Sequence, residues 1–460
     1  MRWDRGAMVL TPLVAVATLA AGLRIGASPA LRAAIVYGAP PAAGHRGLAW
    51  QIVTIVDDRG VREAIELAHV SVYARARGSE SRWEGSTNAD GVAEVWLDLP
   101  GVVVGDSVQI EVRTAGEASP LAVGLASWPE ELPRGRSAPP AFVRSSRQDG
   151  DLVMDVAVYG GRLAPGFASS LWVRVTDKST GAPFVGARID ADPEPGLAVQ
   201  PDHVTTNSTG SAELAANAEI HVVALGLRAS AGSGPARKSG VWFGAIPVAP
   251  GASFVAMPLT LAPREAHAFD VLVPTVLRRV YAEVDDGEGR AFATSLPVEH
   301  SRAALTVPPL EPGKYWLVTA GDPRGAESLE GAALARPFLV ADPAVDRTSL
   351  GFSLTHSPQP HFSRFVVLDG VPAKRRADGS RHRRGLAIAL GALGVAAALE
   401  TLLVLRAVVR SKRLLALSDV IDEDSGAIEP PVNALSVGIG LLVALLGFAL
   451  LAALLSWRAA

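Results

Sequence analysis

Few residues of this sequence combine the type and spacing that catalysis or cofactor binding requires. No His-Glu-x-x-His, Gly-x-Ser-x-Gly or Ser-x-x-Lys motif occurs, and cysteine is absent, which excludes disulfides, thiolate metal sites and thiol nucleophiles. The segment 232–239 has the first glycine and the Lys-Ser pair of a phosphate loop, but Arg237 stands where the close-packing glycine belongs. We interpret this segment as a basic loop and expect no nucleotide ligand.

Histidines and carboxylates offer only weak metal sites. His356 and His361 flank two prolines, and the sequence places no third ligand near them. An acidic stretch nearer the C-terminus lacks the alternating ligands and the sixth-position glycine of a calcium loop; its members are Asp422, Glu423, Asp424 and Glu429. We interpret both groups as solvated polar residues, and therefore expect no metal, no cofactor and no catalytic residue.

Glu400 is the one ionisable residue in a chemically unusual setting. It lies slightly past the middle of an apolar run, where a charged carboxylate costs about 2.5–3.5 kcal/mol on membrane-insertion scales. Protonation, pairing with a partner subunit, an interhelical hydrogen bond or proximity to the interface would each lower that cost. We single out Glu400 as a candidate intramembrane functional residue.

Three apolar segments indicate attachment to a membrane. Residues 1–28 have a basic start and an apolar stretch, which predicts a signal peptide or an uncleaved signal anchor. Residues 385–409 and 434–457 each reach the ~20 residues that a bilayer core demands, so we predict a transmembrane hairpin joined by the loop 410–433. Small residues line one face of each span, which favours close helix packing.

Charge and export features conflict on topology. Basic residues flank the first span on both sides, and the larger group precedes it: Lys374, Arg375, Arg376, Arg381, Arg383 and Arg384. Charge alone would place the residues before 385 in the cytoplasm, but long domains translocate largely regardless of charge. The export-like N-terminus leads us to place 24–384 outside. The expected location is a bacterial inner membrane with the β-domains in the periplasm.

The middle of the chain has the period of antiparallel sheets. Apolar residues alternate with polar or aromatic ones in three runs, 108–113, 171–176 and 280–285. This period-two pattern predicts strands with one buried face and one wet face. Together with frequent turn signals it predicts a mainly β chain of tandem immunoglobulin-like sandwiches. We assign them to 46–128, 150–250 and 264–345, with a stalk at 346–384.

An internal repeat links the first two of these domains. Residues 87–95, Thr-Asn-Ala-Asp-Gly-Val-Ala-Glu-Val, match residues 206–214, Thr-Asn-Ser-Thr-Gly-Ser-Ala-Glu-Leu. A second turn lies upstream of each copy. Glycine supplies a positive φ without a Cβ penalty, so we predict structural turns at four glycines: Gly60, Gly91, Gly181 and Gly210.

The segments 159–166, 171–177 and 181–187 resemble the second macroglobulin domain of bacterial macroglobulin-like proteins, and more widely carboxypeptidase-regulatory-like domains. The resemblance covers about 150–250, and more loosely 46–115. It implies an immunoglobulin-type sandwich. It does not imply covalent protease trapping, because the Cys-Gly-Glu-Gln thioester of such inhibitors needs a cysteine.

Together these features predict a non-catalytic protein. We expect a membrane-anchored binding or scaffold protein that presents its sandwiches to an envelope protein or a polysaccharide. The alternative is an accessory or sensor subunit of a membrane signalling or transport complex, with Glu400 as its coupling element. The net charge of −3 gives no electrostatic reason to expect nucleic acid.

Overall fold

A computed structural model gives the fold of the chain. It describes residues 30–39, 42, 47–58, 61–102, 106–127, 143–273, 277–321, 334–341, 347–356 and 365–418, with the single positions 17 and 20. These residues form mainly strands, which confirms the expected fold class at that level.

The first sandwich holds its core between two sheets. One sheet has the order β26-β1-β2-β3 with β6 paired to β2, and the other has the order β5-β4-β7-β8. The strands are β1 (Leu31–Ala39), β2 (Gly47–Asp58), β3 (Val61–Ala64), β4 (His69–Ala76), β5 (Ser79–Ser86), β6 (Val92–Asp98), β7 (Ser107–Thr114), β8 (Ala122–Ser127) and β26 (Phe365–Asp369). Thus β1 and β26, both outside the predicted bounds 46–128, belong to this sandwich.

The second sandwich pairs the sheet β10-β11-β15-β13 with the sheet β14-β12-β16-β17-β9. Its strands are β9 (Ser145–Gly150), β10 (Leu152–Val158), β11 (Ser169–Asp177), β12 (Arg188–Pro193), β13 (Leu197–Gln200), β14 (His203–Thr205), β15 (Ser211–Ala218), β16 (Val223–Ala231) and β17 (Lys238–Ile246). The segment 232–239, predicted to be a basic loop, connects β16 to β17, and its last two residues already belong to β17.

The third sandwich pairs the sheet β18-β20-β23 with the sheet β19-β25-β24-β21-β22. Its strands are β18 (Phe254–Val255), β19 (Thr260–Leu261), β20 (His267–Leu272), β21 (Arg279–Asp285), β22 (Arg290–Pro297), β23 (Arg302–Val307), β24 (Gly313–Ala320) and β25 (Leu334–Val340). The short pair β19–β25 is parallel, whereas its other pairs are antiparallel.

Alternating apolar residues fill the three cores. In β7 the inward side chains are Val108, Ile110 and Val112, all nearly inaccessible to solvent. The inward residues of β11 and β21 behave in the same way. Burial of one such aliphatic side chain stabilises a fold by about 1.5–3 kcal/mol, so the inward faces hold each pair of sheets together.

Two helices follow the third sandwich, α1 (Arg347–His356) and α2 (Gly370–Ser418). The predicted stalk, 346–384, therefore contains α1, the paired strand β26 and the first part of α2. Along the described ranges, no helix combines the length and apolarity that a bilayer crossing requires. The predicted span 434–457 and most of the loop 410–433 lie outside the described residues.

Contacts divide the chain into two units. One comprises 32–55 and 63–370 and holds the main body of the three sandwiches. The other comprises 1–31, 56–62 and 371–460 and holds nearly all of α2.

Candidate functional site

Three of the four predicted turn glycines lie in left-handed turns. Gly91 has φ +70°, Gly210 has φ +71° and Gly181 has φ +68°. A Cβ on Gly91 would lie 2.6 Å from the carbonyl oxygen of Thr54, and one on Gly210 would lie 2.7 Å from that of Val175. Gly60 lies outside the described residues. Close backbone approach as well as φ therefore requires glycine at 91 and 210.

An asparagine side chain closes the first turn. Asn88 Oδ1 accepts hydrogen bonds from the backbone N–H of Asp90 at 2.8 Å and of Val92 at 3.1 Å. The carbonyl of Gly91 accepts the N–H of Thr54 at 2.8 Å, which ties the turn to β2.

The second turn repeats these bonds atom by atom. Asn207 Oδ1 accepts the backbone N–H of Thr209 and of Ser211, each at 3.0 Å. The carbonyl of Gly210 accepts the N–H of Val175 at 2.8 Å. The two copies of the repeat thus occupy equivalent positions in two sandwiches of like construction.

The first copy of the repeat also joins the first sandwich to the third. Asn88 Nδ2 donates to Tyr281 Oη at 3.1 Å, and Tyr281 Oη donates to Asp90 Oδ2 at 2.6 Å. Glu94 Oε2 lies 3.5 Å from Arg290 Nη1. Side chains at the second, fourth and eighth positions of the repeat therefore meet a hydroxyl and an arginine of β21 and β22.

The second copy uses the same three positions to hold helix α1. Asn207 Nδ2 donates to Ser349 Oγ at 3.2 Å, and Thr209 Oγ1 lies 3.0 Å from the same hydroxyl. Glu213 Oε1 lies 3.2 Å from Arg347 Nη2. The second copy of the repeat, like the first, therefore contacts one hydroxyl group and one arginine. The repeat predicted a turn in each copy but not this joint, although the Asn and Glu that the two copies share carried the signal.

The joint between the first and third sandwiches contains a buried ionic network. Arg290, only 4% exposed, also pairs with Glu283 at 3.0 Å. Burial raises the pKa of the neighbouring Asp285 carboxyl to about 7, an effect that Arg290 opposes and Asp286 reinforces. Removal of either partner from such a network leaves a charge that is still buried but no longer compensated, and this strongly destabilises the folded state.

An arginine joins the second sandwich to the third. Arg336 is buried, donates to the carbonyl oxygen of Val255, and lies over the rings of Phe254 at 4.1 Å and Tyr159 at 5.7 Å. Burial lowers its pKa to about 10. Tyr159 Oη donates to the carbonyl oxygen of Pro337 at 2.9 Å, so this junction is also hydrogen-bonded.

These joints correct the expected wet faces of two strands. In β21 the residues predicted to face water, Tyr281, Glu283 and Asp285, are buried, and Tyr281 hydrogen-bonds to the first sandwich. In β11 Trp172 is fully buried beneath α1. Among the three alternating runs only 108–113 keeps an open outer face, because no described element covers it.

That open face is polar across β4, β5 and β7 and carries one aromatic ring there, whereas the neighbouring β8 exposes Val123 and Leu125. Across β5, β4 and β7, Tyr73 lies beside Arg82 and Glu111 in one row of the sheet. The guanidinium carbon of Arg82 lies 5.1 Å from the centre of the Tyr73 ring. Arg82 also pairs with Glu84, and Arg82 and Ser71 together hold the pKa of Glu84 below its usual range.

The same face contains a cavity of about 310 Å³. Its lining combines one ring, two arginines, two glutamates, an amide and an alanine: Tyr73, Ala74, Arg75, Glu80, Gln109, Glu111 and Arg113. Arg75 pairs with Glu80 at 2.9 Å, and Arg113 pairs with Glu111. Positive and negative side chains balance here, so the face suits a neutral ligand with many hydroxyl or amide groups better than a polyanion. We call this surface, β4, β5 and β7 with the cavity, the open polar face.

The remaining candidate residues are dispersed. Glu400 lies in α2, and its side-chain surroundings lie outside what the structure describes, as does His361. His356 ends α1 and stacks against Phe352 at 6.0 Å. Lys238, the lysine of the phosphate-loop-like segment, pairs with Asp177. Within the described ranges no three His, Asp or Glu side chains are arranged to hold a metal ion.

Comparisons with known proteins give a low overall likeness. No family model matches the chain, and no curated protein matches it. Among solved structures, the chain is similar to the native conformation of Escherichia coli alpha-2-macroglobulin, with 11% identity and a TM-score of 0.18 over 70% of this chain. The chain spans 23% of the length of that macroglobulin.

Two further solved structures are similar at the same level. The D0-D1 domain of intimin is 15% identical with a TM-score of 0.14, covering 45% of this chain and 95% of its own. Invasin, a bacterial integrin-binding protein, is 11% identical with a TM-score of 0.16, covering 67% and 60%. At these TM-scores the superpositions carry no argument about function. They give no support to the carboxypeptidase-regulatory-like part of the expected resemblance.

Proposed function

We propose that the protein is a non-catalytic binding or scaffold protein of the cell envelope, built from macroglobulin-like or immunoglobulin-like sandwiches. The observation that carries the proposal is the open polar face of the first sandwich. The outer faces of β11 and β21, in contrast, take part in joints between the protein's own elements. This face combines an exposed position, a cavity, an aromatic ring and paired hydrogen-bonding side chains.

The chemistry of the face favours a polysaccharide as its ligand. Sugar hydroxyls accept and donate hydrogen bonds, and Arg–Glu pairs such as Arg75–Glu80 offer both functions side by side. Tyr73 supplies a ring against which the apolar face of a sugar can pack. An envelope protein with a polar, uncharged surface is the second kind of partner that this face would fit.

Direct binding tests this ligand. The full chain carrying Arg82→Ala or Tyr73→Ala should lose most of its binding to immobilised cell-wall and capsular polysaccharides. Arg188→Ala is the matched control, because Arg188 forms an exposed pair with Asp190 at 2.8 Å on the second sandwich. Equal binding by all three variants would show that this face is not the binding site.

Anchoring to a bacterial inner membrane, with the sandwiches in the periplasm, is the second part of the proposal. It rests on the apolar segments at 1–28, 385–409 and 434–457. Reporter fusions after Val340 and between 419 and 424 should then show opposite sidedness. A cytoplasmic reporter after Val340 would overturn the periplasmic location and, with it, the polysaccharide ligand.

A sensor or accessory subunit is the alternative, and Glu400 is the residue that favours it. A carboxylate within an apolar helical run is expensive unless a partner uses it. Purification from detergent extracts separates the two functions, because a transporter or kinase in equal amount would favour the sensor, whereas glycan or envelope proteins would favour the scaffold.

A further inference from the structure

The start of helix α2 carries a high density of positive charge. Its residues 370–384 contain a single carboxylate, Asp378, against a larger set of basic residues. These are Lys374, Arg375, Arg376, Arg381, Arg383 and Arg384. Within this set Arg375, Arg376, Arg383 and Arg384 are exposed. The excess of positive charge is therefore accessible from outside the helix.

The basic residues are distributed around the whole circumference of the helix. Successive residues of an α-helix are turned by about 100° about its axis. Lys374, Arg375 and Arg376 therefore occupy three different sides, and Arg384 occupies the side that they leave open. The six basic residues form a ring of positive charge, which we call the basic collar.

The collar directly borders an apolar part of the same helix. The run 385–409 begins at the residue after Arg384, and α2 continues through it without a break. Large aliphatic side chains of this run are exposed: Leu390, Val395, Leu402 and Leu405 are each 56–62% accessible. A continuous exposed apolar surface of this kind marks a contact with lipid or with another protein.

The ring shape of the collar distinguishes between possible partners. A nucleic acid or an acidic protein that docks beside the helix would meet one side of it, and a one-sided stripe of positive charge would suffice. A membrane surrounds a helix that enters it, so its headgroups meet every side at the level where the apolar run begins. Anionic headgroups attract basic residues at this position.

We propose that the basic collar binds anionic phospholipid headgroups of a membrane that the apolar run of α2 enters. The proposal rests on the membrane anchoring in the proposed function and adds the chemistry of the lipid. Guanidinium groups donate charge-assisted, paired hydrogen bonds to phosphate oxygens, which suits the arginine-rich composition of the collar. Because a ring of charge fits such headgroups on either side of a membrane, the proposal is independent of the orientation that the reporter fusions decide.

Selective retention of lipid tests the proposal. The full chain, purified in a mild detergent, is mixed with equal amounts of anionic phosphatidylglycerol and zwitterionic phosphatidylcholine, and the lipids that stay bound are counted by native mass spectrometry. On the order of tenfold more phosphatidylglycerol is expected at low ionic strength. The excess should largely disappear if the lipid is added at about 1 M salt, where charges are screened beyond about 3 Å.

Two variants of the exposed arginines locate the binding. Replacement of all four by glutamine should remove the excess of phosphatidylglycerol: Arg375→Gln, Arg376→Gln, Arg383→Gln and Arg384→Gln. Replacement of the same four by lysine should keep most of it, because the positive charge remains.

A matched control removes the same number of charges from the sandwiches. It combines four arginines that form exposed ion pairs: Arg32→Gln, Arg188→Gln, Arg228→Gln and Arg264→Gln. This variant should retain phosphatidylglycerol like the native chain. An equal loss of the excess in this control would show that the net charge of the protein, and not the collar, selects the lipid.

The remaining outcomes separate this proposal from the anchoring on which it rests. Equal retention of the two lipids by a chain that is found in cell membranes would overturn the proposal and leave the anchoring intact, whereas absence of the chain from membranes would overturn both. An excess that survives the glutamine variant would place the lipid elsewhere on the chain. Equally strong binding of the water-soluble headgroup glycerophosphoglycerol would show a site for free phosphate esters and not for a membrane surface.

Discussion

At the scale of single residues, the two copies of the repeat show how one short sequence does two tasks. The glycine and the Oδ1 atom of the asparagine build the turn. The Nδ2 atom of the same asparagine, together with a glutamate, reaches an element distant in sequence, which is β21 and β22 for the first copy and α1 for the second. Asn88 and Asn207 therefore each make local hydrogen bonds within the turn and a long-range hydrogen bond to another element.

Substitution of the turn glycines separates two costs of a Cβ atom, the backbone strain of a positive φ and the steric clash with a neighbouring carbonyl oxygen. Gly91→Ala and Gly210→Ala should each lower the free energy of unfolding by about 2–4 kcal/mol, because φ is positive and the new Cβ meets a carbonyl oxygen. Gly181→Ala meets no atom within 4 Å and should cost only about 1 kcal/mol. Urea denaturation measures all three, and an equal loss at Gly181 would contradict the role of crowding.

Acidification should weaken the second sandwich through Asp177. Lys238, the Ser179 hydroxyl and backbone N–H groups stabilise its carboxylate, and they hold its pKa well below the usual range. Since the pKa is depressed on folding, this stabilisation is present above the unfolded pKa of ~3.9 and is lost as pH falls further. We expect the stability difference between the native chain and Asp177→Asn to shrink as the pH falls below about 4. A difference independent of pH would contradict this assignment.

At the scale of secondary-structure elements, joints decide the environment of whole strands. The outer face of β21 reads as polar, yet it lies against the first sandwich because Arg290 and Tyr281 find partners there. The outer face of β7 has a similar sequence pattern and stays open. The difference lies in which element meets each face.

Removing one partner tests the first joint. Arg290→Leu leaves the Glu94 and Glu283 carboxylates without this buried cation and should cost about 3–5 kcal/mol, whereas Tyr281→Phe should cost about 1–2 kcal/mol. Arg228→Leu is the control, since its pair with Asp192 is exposed on both sides and contributes about 1 kcal/mol or less. Similar losses of stability for Arg228→Leu and Arg290→Leu in thermal unfolding would show that the buried joint contributes no more than an exposed ion pair.

The same joint should respond to pH in the direction opposite to Asp177. Burial raises the pKa of Asp285 to about 7. A raised pKa means that the stability contribution is complete below the unfolded pKa of ~3.9 and is lost as pH rises through the folded value. The native chain should therefore lose stability relative to Asp285→Asn between about pH 4 and 7. A relative gain over that range would refute the assignment.

At the scale of the whole molecule, the sensor alternative depends on a residue outside the sandwiches, Glu400 of α2, which lies in an apolar run of the sequence. If a neutral hydrogen bond is its role, Glu400→Gln should preserve abundance, complexes and activity. If a charge or proton is used, the same variant should lose activity at normal abundance. Glu400→Leu with unchanged abundance, partners and activity, measured in membranes, would remove the main support for the sensor alternative.

The sequence by itself determined what local physics controls. Period-two alternation identified the inward residues of β7, β11 and β21, because neighbouring side chains in a strand must face opposite sides. The repeat and its glycines identified the turns at Gly91 and Gly210, because a left-handed backbone favours glycine in any fold. Both signals depend only on residues near each other in the chain.

Only the tertiary structure decided what covers each face. Trp172 and Tyr281 looked like outward residues, and their burial depends on α1 and on the first sandwich, which are distant in sequence. The pairing of β1 with β26 across the length of the domains has the same origin. Alternation states that a strand has two faces. The alternating pattern carries no information about which distant element will cover the second face. In this structure no described element covers the outer face of β4, β5 and β7.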